Sequence, residues 1–312
     1  MISLFVEFYN RLLAICVPEV YIGGMKKKKI YILLAALVLT GGILTLRMVW
    51  YENTFLQTAD YTVTLEKLPA EQDGLVIALL ADLHVRRMCF ESGLFDAVTE
   101  VIRERNPDLV LLAGDYMRAK DRRSLLEMGN LSRAVSNWHG KYGTLAIAGN
   151  HDTYFEKAGN LAYIMNALKE GGATVLDNEG ISLEIHGRPF QIFGTADRDD
   201  AWFRMGKIPE SFDRTLPVFG IVHDPEDIYS VKNRFDMIFS AHTHRGQIRL
   251  PVFGERYLVL RFRGGWLGKG LRKYRNCVQI TTSGIGTSAW PLRLHNRPEV
   301  VFVTLRSPAV SR

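Results

Sequence analysis

Three apolar runs, each closing on aspartate, asparagine or histidine, constrain this chain more than any other feature. They are "LVIALLADLH" from Leu75, "DLVLLAGD" from Asp108 and "GTLAIAGNHD" from Gly143. A short apolar run bounded by turn residues reads as a strand buried on both faces. Helical patterns separate and follow them. "SGLFDAVTEVIRERN" sets Leu94, Phe95, Val98, Val101 and Ile102 at helical spacing, and Pro107 closes it. "SLLEMGNLSRAVSNW" reads as a second helix, and "NLAYIMNALKEGG" as a third that glycines stop. Strand and helix in alternation predict a parallel sheet covered by helices.

The second half changes character. "ATVLDN", "ISLEIHG", "FQIFGTA", "LPVFGIVHDP", "DMIFSAHTH", "GQIRLP", "CVQITTSGIG" and "PEVVFVTL" read as strands in quick succession. The expected class is α/β: two stacked sheets, a β-sandwich flanked by helices. The 312 residues are ample for such a core.

Polar side chains gather at the carboxyl ends of the strands, where open α/β sheets bind ligands. They are Asp82 and His84, Asp115, Asn150 and His151, His223, and His242 with His244. Five of the eight histidines stand there; His139, His186 and His295 read as surface or loop residues. Imidazole, carboxylate and amide oxygen without thiolate suit borderline-to-hard divalent ions such as Mn²⁺, Fe or Zn²⁺. Seven candidate ligands (Asp82, His84, Asp115, Asn150, His223, His242, His244) exceed one site and suit two ions sharing a bridge. Asp115, with two oxygens, is the central candidate for that bridge. Two such ions, two aspartates and a bridging hydroxide leave a net positive centre, which attracts an anion such as phosphate.

The amino-terminal part has a different character. From Ile30 to Leu46 the chain is uncharged and mostly apolar, and as a helix it spans roughly 25 Å, close to a hydrocarbon core. Trp50 and Tyr51 suit an interfacial belt, and Lys26–Lys29 precede the run. No A-x-A-like site follows, so the run reads as an uncleaved anchor. The lysines predict a single-pass protein of the cell membrane, with the catalytic domain on the extracytoplasmic side. "MKKKKIYILL" reads as a natural start, which makes residues 1–24 a possible over-extension. The domains are then 25–52, the transmembrane anchor, and 53–312, the catalytic part. The net charge of +6 is concentrated in the lysine block and in the run Arg261–Asn276, so no stable nucleic-acid partner is expected. Three cysteines without CxxC spacing argue against a disulfide framework.

The ordered motifs D-x-H, G-D, G-N-H-D, H and A-H-T-H resemble the signature of the calcineurin-like metallophosphoesterases. The resemblance covers about Leu75 to Leu305. "WYENTFLQTADYTVTLEKLP", "RGQIRLP" and "SGIGTSAWPLRLHNRPEV" resemble the membrane-anchored YkuE/YaeI-like phosphodiesterase branch. Ala241 and Ala81 depart from the glycine and serine usual there, with no ligand lost. The resemblance implies the family's four-layer fold and a phosphodiesterase or pyrophosphatase activity. It implies Asp82, His84 and His244 on one metal, Asn150, His223 and His242 on the other, and Asp115 between them. A metal-bridging hydroxide would attack phosphorus, with His151 stabilising the transition state and protonating the leaving oxygen. Asp152 would orient His151 or cap the next segment. Asp224, in "HDPED", reads as a helix cap.

Arg86, Arg118 and Arg245 stand close to the motifs and could hold a second phosphate; each also reads as a solvated surface arginine. Arg261–Asn276 interleaves cations with Phe262, Trp266, Leu267 and Leu271, which suits an anionic lipid surface. Asp197–Arg214 reads as an insertion that carries Trp202 and Phe203 to the pocket rim, or as a plain surface loop. The expected partners are the lipid bilayer and a phosphoester linked to a lipid or nucleotide. Some relatives cleave UDP-2,3-diacylglucosamine in lipid A synthesis, which needs a cytoplasmic site and conflicts with the orientation above. A non-catalytic metal-binding membrane receptor is the alternative of another class.

Overall fold

The computed structural model describes residues 25–86, 89, 91–117, 127–153, 160–195, 208–249, 270–288 and 290–308. Residues 1–24, Arg118, Trp202, Phe203, and the part of the basic run before Gly270 lie outside the described residues. The chain divides after Leu46 into two units. In the first, Met25–Leu46 is an α-helix, α1. Large apolar side chains along it, from Ile30 to Leu46, are exposed. A helix apolar all round has no polar face for water, and this one is long and apolar enough to cross a membrane.

The second unit holds two six-stranded sheets. Sheet one has the order β1-β12-β2-β3-β4-β5, built from Gln57–Thr64, Glu299–Arg306, Val76–Leu80, Leu109–Ala113, Thr144–Ile147 and Thr174–Val175. β2, β3, β4 and β5 run parallel, and β12 joins β2 antiparallel. Sheet two has the order β10-β11-β9-β8-β7-β6, built from Gly270–Lys273, Val278–Thr281, Met237–Ser240, Val218–Ile221, Arg188–Gly194 and Glu179–Ile185. Its four central strands are parallel and its two edges antiparallel.

Alternation along each strand divides the core into layers, because successive side chains point to opposite faces. Ile77, Leu79, Leu109 and Leu111 face Ile192, Phe219, Ile221, Met237 and Phe239 between the sheets. Ala78, Leu80, Val110 and Leu112 face outward, under the helices α2 (Leu94–Arg105), α3 (Met128–Val135) and α4 (Asn160–Glu170). Phe95, Val98, Leu131, Trp138 and Leu168 meet them there. Val218, Val222 and Ile238 form a third layer with Phe235 and the helical turn Ile228–Val231. Each such Leu, Ile or Phe buried contributes about 1.5–3 kcal/mol against chain entropy. The result is two mixed sheets with helices outside, as the alternation of patterns implies.

Three elements differ from expectation. β1 and β10 are strands that no apolar run announces: β1 is an edge strand whose outer residues alternate exposed and half-buried. "GQIRLP" forms no strand among its described residues; Ile248 makes an isolated bridge to Leu294. Gln247 sits there at φ 55, outside the β region, with its side chain buried.

Candidate metal centre

The carboxyl ends of β2, β3, β4, β8 and β9 converge. After β2, β3 and β9 the chain leaves the β region abruptly: Asp82, His84, Asp115, His242 and His244 have φ of 52, 38, 60, 67 and 47. Asp and His tolerate the left-handed region better than most residues, and such strain clusters at functional sites. Two glycines let the loops close. A Cβ on Gly114 (φ 90) would lie 2.5 Å from the Gly149 nitrogen, and one on Gly149 would lie 2.3 Å from Asp115 Oδ1. Only backbone fits between these loops.

The geometry brings together all the titratable candidates. Ligand atoms of Asp82, His84 and His244 lie within 4.8 Å of one another, as do those of His84, Asp115 and His151, and those of Asp115, His223 and His242. Asp82, His84, Asp115, His223 and His244 are buried, while Asn150, His151 and His242 are partly exposed. One oxygen of each carboxylate is tied to backbone: Asp82 Oδ2 accepts from His242 N at 3.1 Å, and Asp115 Oδ1 from His151 N at 2.8 Å. The other oxygen faces the cluster. Asp115 Oδ2 lies 3.6 Å from His84 Nε2 and 3.3 Å from His223 Nε2, between the two groups. Asp82 Oδ1 lies 3.8 Å from His244 Nε2 and 4.0 Å from His223 Nε2.

Carbonyls brace two of the rings. His84 Nδ1 donates to Met117 O at 3.1 Å, and His223 Nδ1 to Ala113 O at 2.6 Å. A carbonyl only accepts, so each Nδ1 carries the proton and each Nε2 presents a lone pair to the cluster. Burial pushes His84 down to about 3 and His244 well below the ordinary range, so both imidazoles are neutral at pH 7. Burial pushes Asp82 up to about 7. Burial would also raise Asp115, but His223, His84 and His151 outweigh it and hold that carboxyl well below the usual range.

This donor set fits divalent cations. His84 Nε2 and His244 Nε2 stand 2.9 Å apart with neutral rings, close enough for one cation to take both nitrogens. Asp82 Oδ1 and Asn150 Oδ1 are buried without a hydrogen-bond partner among the described residues. Unpaired buried oxygens of this kind are costly unless an ion takes them.

The other sequence candidates divide. Asp152 Oδ1 and Oδ2 accept from four backbone nitrogens: Asp115 (2.8 Å), Tyr116 (2.9 Å), Met117 (3.2 Å) and Gly149 (2.9 Å). Its carboxylate clamps the Asp115 loop to the Gly149 loop, a task neither sequence reading of it contained. Arg86, read as a phosphate contact, instead donates to the carbonyls of Thr287 (2.9 Å) and Ser288 (3.0 Å) and holds that loop. Arg245 follows His244 and is partly exposed at the cluster's edge. Arg118 lies outside the described residues. Asp224 caps its turn, accepting from Glu226 N at 2.8 Å. His139, His186 and His295 are exposed.

Sequence reasoning missed the loop Ser283–Gly286 and Arg293. Gly284 N–Cα packs so closely that a Cβ would lie 2.6 Å from Asp82 Cβ, and Gly286 N donates to Asp82 O at 2.7 Å. Arg293 is fully buried, and its guanidinium donates to the carbonyls of Ser283, Gly284, Gly286 and Asn296. Burial lowers it to about 10, so it keeps its charge at pH 7. The glycine-flanked "SGIG" was the available signal: a loop that must approach another backbone closely.

Comparisons with known proteins agree with this arrangement. A family model for the calcineurin-like phosphoesterases matches residues 75–246. Phosphodiesterase YaeI of Escherichia coli (strain K12) is 33% identical over 230 residues, 73% of this chain and 81% of that protein. The uncharacterized metallophosphoesterase YkuE of Bacillus subtilis (strain 168) is 25% identical over 267 residues, 83% and 88% of the two chains. A transmembrane protein with metallophosphoesterase domain from Danio rerio is 23% identical over 273 residues, 80% of this chain and 57% of the other.

Proposed function

Because the chain belongs to the calcineurin-like phosphoesterase family, we propose that it is a dimetal phosphodiesterase or pyrophosphatase of the membrane, acting on amphiphilic phosphoesters. Asp82, His84 and His244 would hold one divalent cation, and Asn150, His223 and His242 the other, with Asp115 shared. The observation that carries this reading is Asp115 Oδ2, set between His84 Nε2 and His223 Nε2 while Oδ1 is tied back to His151 N. Mn²⁺, Fe or Zn²⁺ suits the donors, and such a pair supplies Lewis-acid stabilisation of charge on phosphoryl oxygens.

The chain's own groups do the rest. The Met117 and Ala113 carbonyls fix the tautomers of His84 and His223. The Asp152 clamp holds the Asp115 and Gly149 loops in register. His151 is partly exposed, with its ring 4.7 Å from that of His84. It faces the phosphoester and gives a proton to the leaving oxygen. Lys26–Lys29 and the apolar helix support a single-pass anchor with the catalytic part outside the cytoplasm. The substrate would then be an envelope phosphoester bearing a lipid or nucleotide group.

Hydrolysis of bis-p-nitrophenyl phosphate by the Mn²⁺-loaded protein tests the reading. His151→Ala should cut kcat by about 10²–10⁴ while bound Mn²⁺ is unchanged. A wild type that takes up Mn²⁺ and turns nothing over would favour the receptor.

A further inference from the structure

His244 is held differently from the other buried ring ligands. His84 and His223 are braced through Nδ1 by carbonyls, whereas His244 Nδ1 is buried without a hydrogen-bond partner among the described residues. Among the described residues no hydrogen bond braces the ring on its Nδ1 side, so the backbone carries more of the task of aiming it at His84. That backbone is strained, at φ 47, and followed by Arg245 at φ 49. Its carbonyl accepts from Gln247 N at 2.9 Å and from Asn296 Nδ2 at 2.6 Å.

Asn296 is itself fastened. It is 2% exposed. Its carbonyl accepts from Arg293 Nη1 at 2.9 Å, and its N–H donates to Glu52 Oε2 at 3.3 Å. Glu52 belongs to the turn that follows the apolar helix in sequence, yet it is only 2% exposed. Its other oxygen accepts from Arg47 Nε (3.0 Å) and Nη2 (2.9 Å). The same turn is pinned twice more: Arg293 N donates to Met48 O at 3.1 Å, and Asn53 Nδ2 to Pro291 O at 3.0 Å. A continuous line of direct bonds therefore runs Arg47–Glu52–Asn296–His244.

We propose that Asn296 is a positioning residue for the His244 side of the metal pair, and that Glu52 supports it, so that the turn next to the membrane helix is a working part of the phosphoesterase centre. The inference rests on the reading of His244 as a ligand. Asn296 touches no reacting atom; it acts by keeping the His244 backbone where its unbraced ring points at Asp82 and His84.

Calorimetric titration of the full chain in detergent with Mn²⁺ tests this, alongside melting followed by circular dichroism. Asn296→Ala should weaken one of two Mn²⁺ sites on the order of tenfold and leave the other unchanged, with melting still cooperative. Glu52→Gln keeps an oxygen for the Asn296 N–H and should bind as wild type does. Glu52→Ala removes it and should follow Asn296→Ala. The positioning role is overturned if Asn296→Ala binds two Mn²⁺ with wild-type affinities. It is also overturned if both sites weaken equally, or if Glu52→Gln and Glu52→Ala behave alike. A wild type that takes up no Mn²⁺ overturns the proposed function and this inference with it.

Discussion

The two sides of the metal centre are stiffened by opposite means. On the side of sheet one, the loops after β3 and β4 lock each other. Asp152 bonds across both loops, glycines let their backbones touch, and the Ala113 and Met117 carbonyls brace the rings of His223, which comes from sheet two, and His84. On the side of sheet two, the loop after β9 passes through left-handed conformations at His242, His244, Arg245 and Gln247. Each such residue costs about 1–2 kcal/mol. Within that loop Thr243 Oγ1 accepts from Arg245 N at 3.3 Å, and residues 283–297 support it from outside, through Asn296, Arg293 and the carbonyls that Gln247 reaches. One half of the centre is thus self-supporting and the other is buttressed. Damage to the first should reach both cations; the buttress grips the loop after β9 at His244 and Gln247, while His242 is tied separately through its N–H to Asp82 Oδ2, so damage to the buttress should fall on the His244 side.

The largest expected effect comes from the self-supporting half. Asp152→Ala would leave four backbone N–H groups unpaired in a fully buried place. Each loses an acceptor that no water can replace, so the loss should be about 3–5 kcal/mol. Urea unfolding of the full chain in detergent measures it. Uptake of both Mn²⁺ ions should fall together, because Asp115 moves with its loop. Retention of one tight site would break the contrast between the halves.

Gln247→Ala strikes the buttressed half. Gln247 is fully buried; Nε2 donates to the carbonyls of Trp290 (3.0 Å) and Leu292 (2.9 Å), and Oε1 accepts from Ser288 N at 2.8 Å. Its removal should cost roughly 2–3 kcal/mol and weaken a single Mn²⁺ site, leaving the one that includes His223 intact. Equal weakening of both sites would show that the halves are not independent.

The same asymmetry governs what could be read from the sequence. The strands β2, β3, β4, β8 and β9 and every candidate ligand are visible because each ligand lies within three residues of a glycine or alanine near the end of an apolar run. Asp152 is visible as well, being part of "GNHD", although its clamp is not: a carboxylate's partners are set by loops that only meet in three dimensions. The buttress is nearly invisible. Asn296 lies 52 residues from His244 and 244 from Glu52 along the chain. Glu52 looks in sequence like a solvated residue beside a long apolar helix, yet it is buried. Edge strands β1 and β10 escape for a related reason, since their side chains are half solvated and carry no apolar run. Arg86 reads as an anion contact because charge beside a motif suggests one; in the structure its Nη2 donates to two carbonyls of the 287–288 loop.

A change remote from both halves sharpens the contrast by separating fold stability from metal binding, and it should have the smallest effect. Asp73, just before β2, accepts from Ser307 N at 2.8 Å and from Arg306 Nη1 at 2.9 Å, tying the start of sheet one to the end of β12. The Ser307 N–H, and then Arg306, hold its carboxyl below the ordinary value of 3.8. The folded state therefore binds the Asp73 proton less readily than the unfolded chain does. The resulting stability is fully present above the unfolded pKa, about 3.9, and is lost as pH falls through the lower folded value. Asp73→Asn should lower the melting temperature slightly at pH 7, and the difference from wild type should close below about pH 4. Mn²⁺ binding at pH 7 should not change. A difference that instead widens on acidification would mean that Asp73 is not ionised when paired, and an altered Mn²⁺ affinity would mean that sheet one transmits strain to the centre after all.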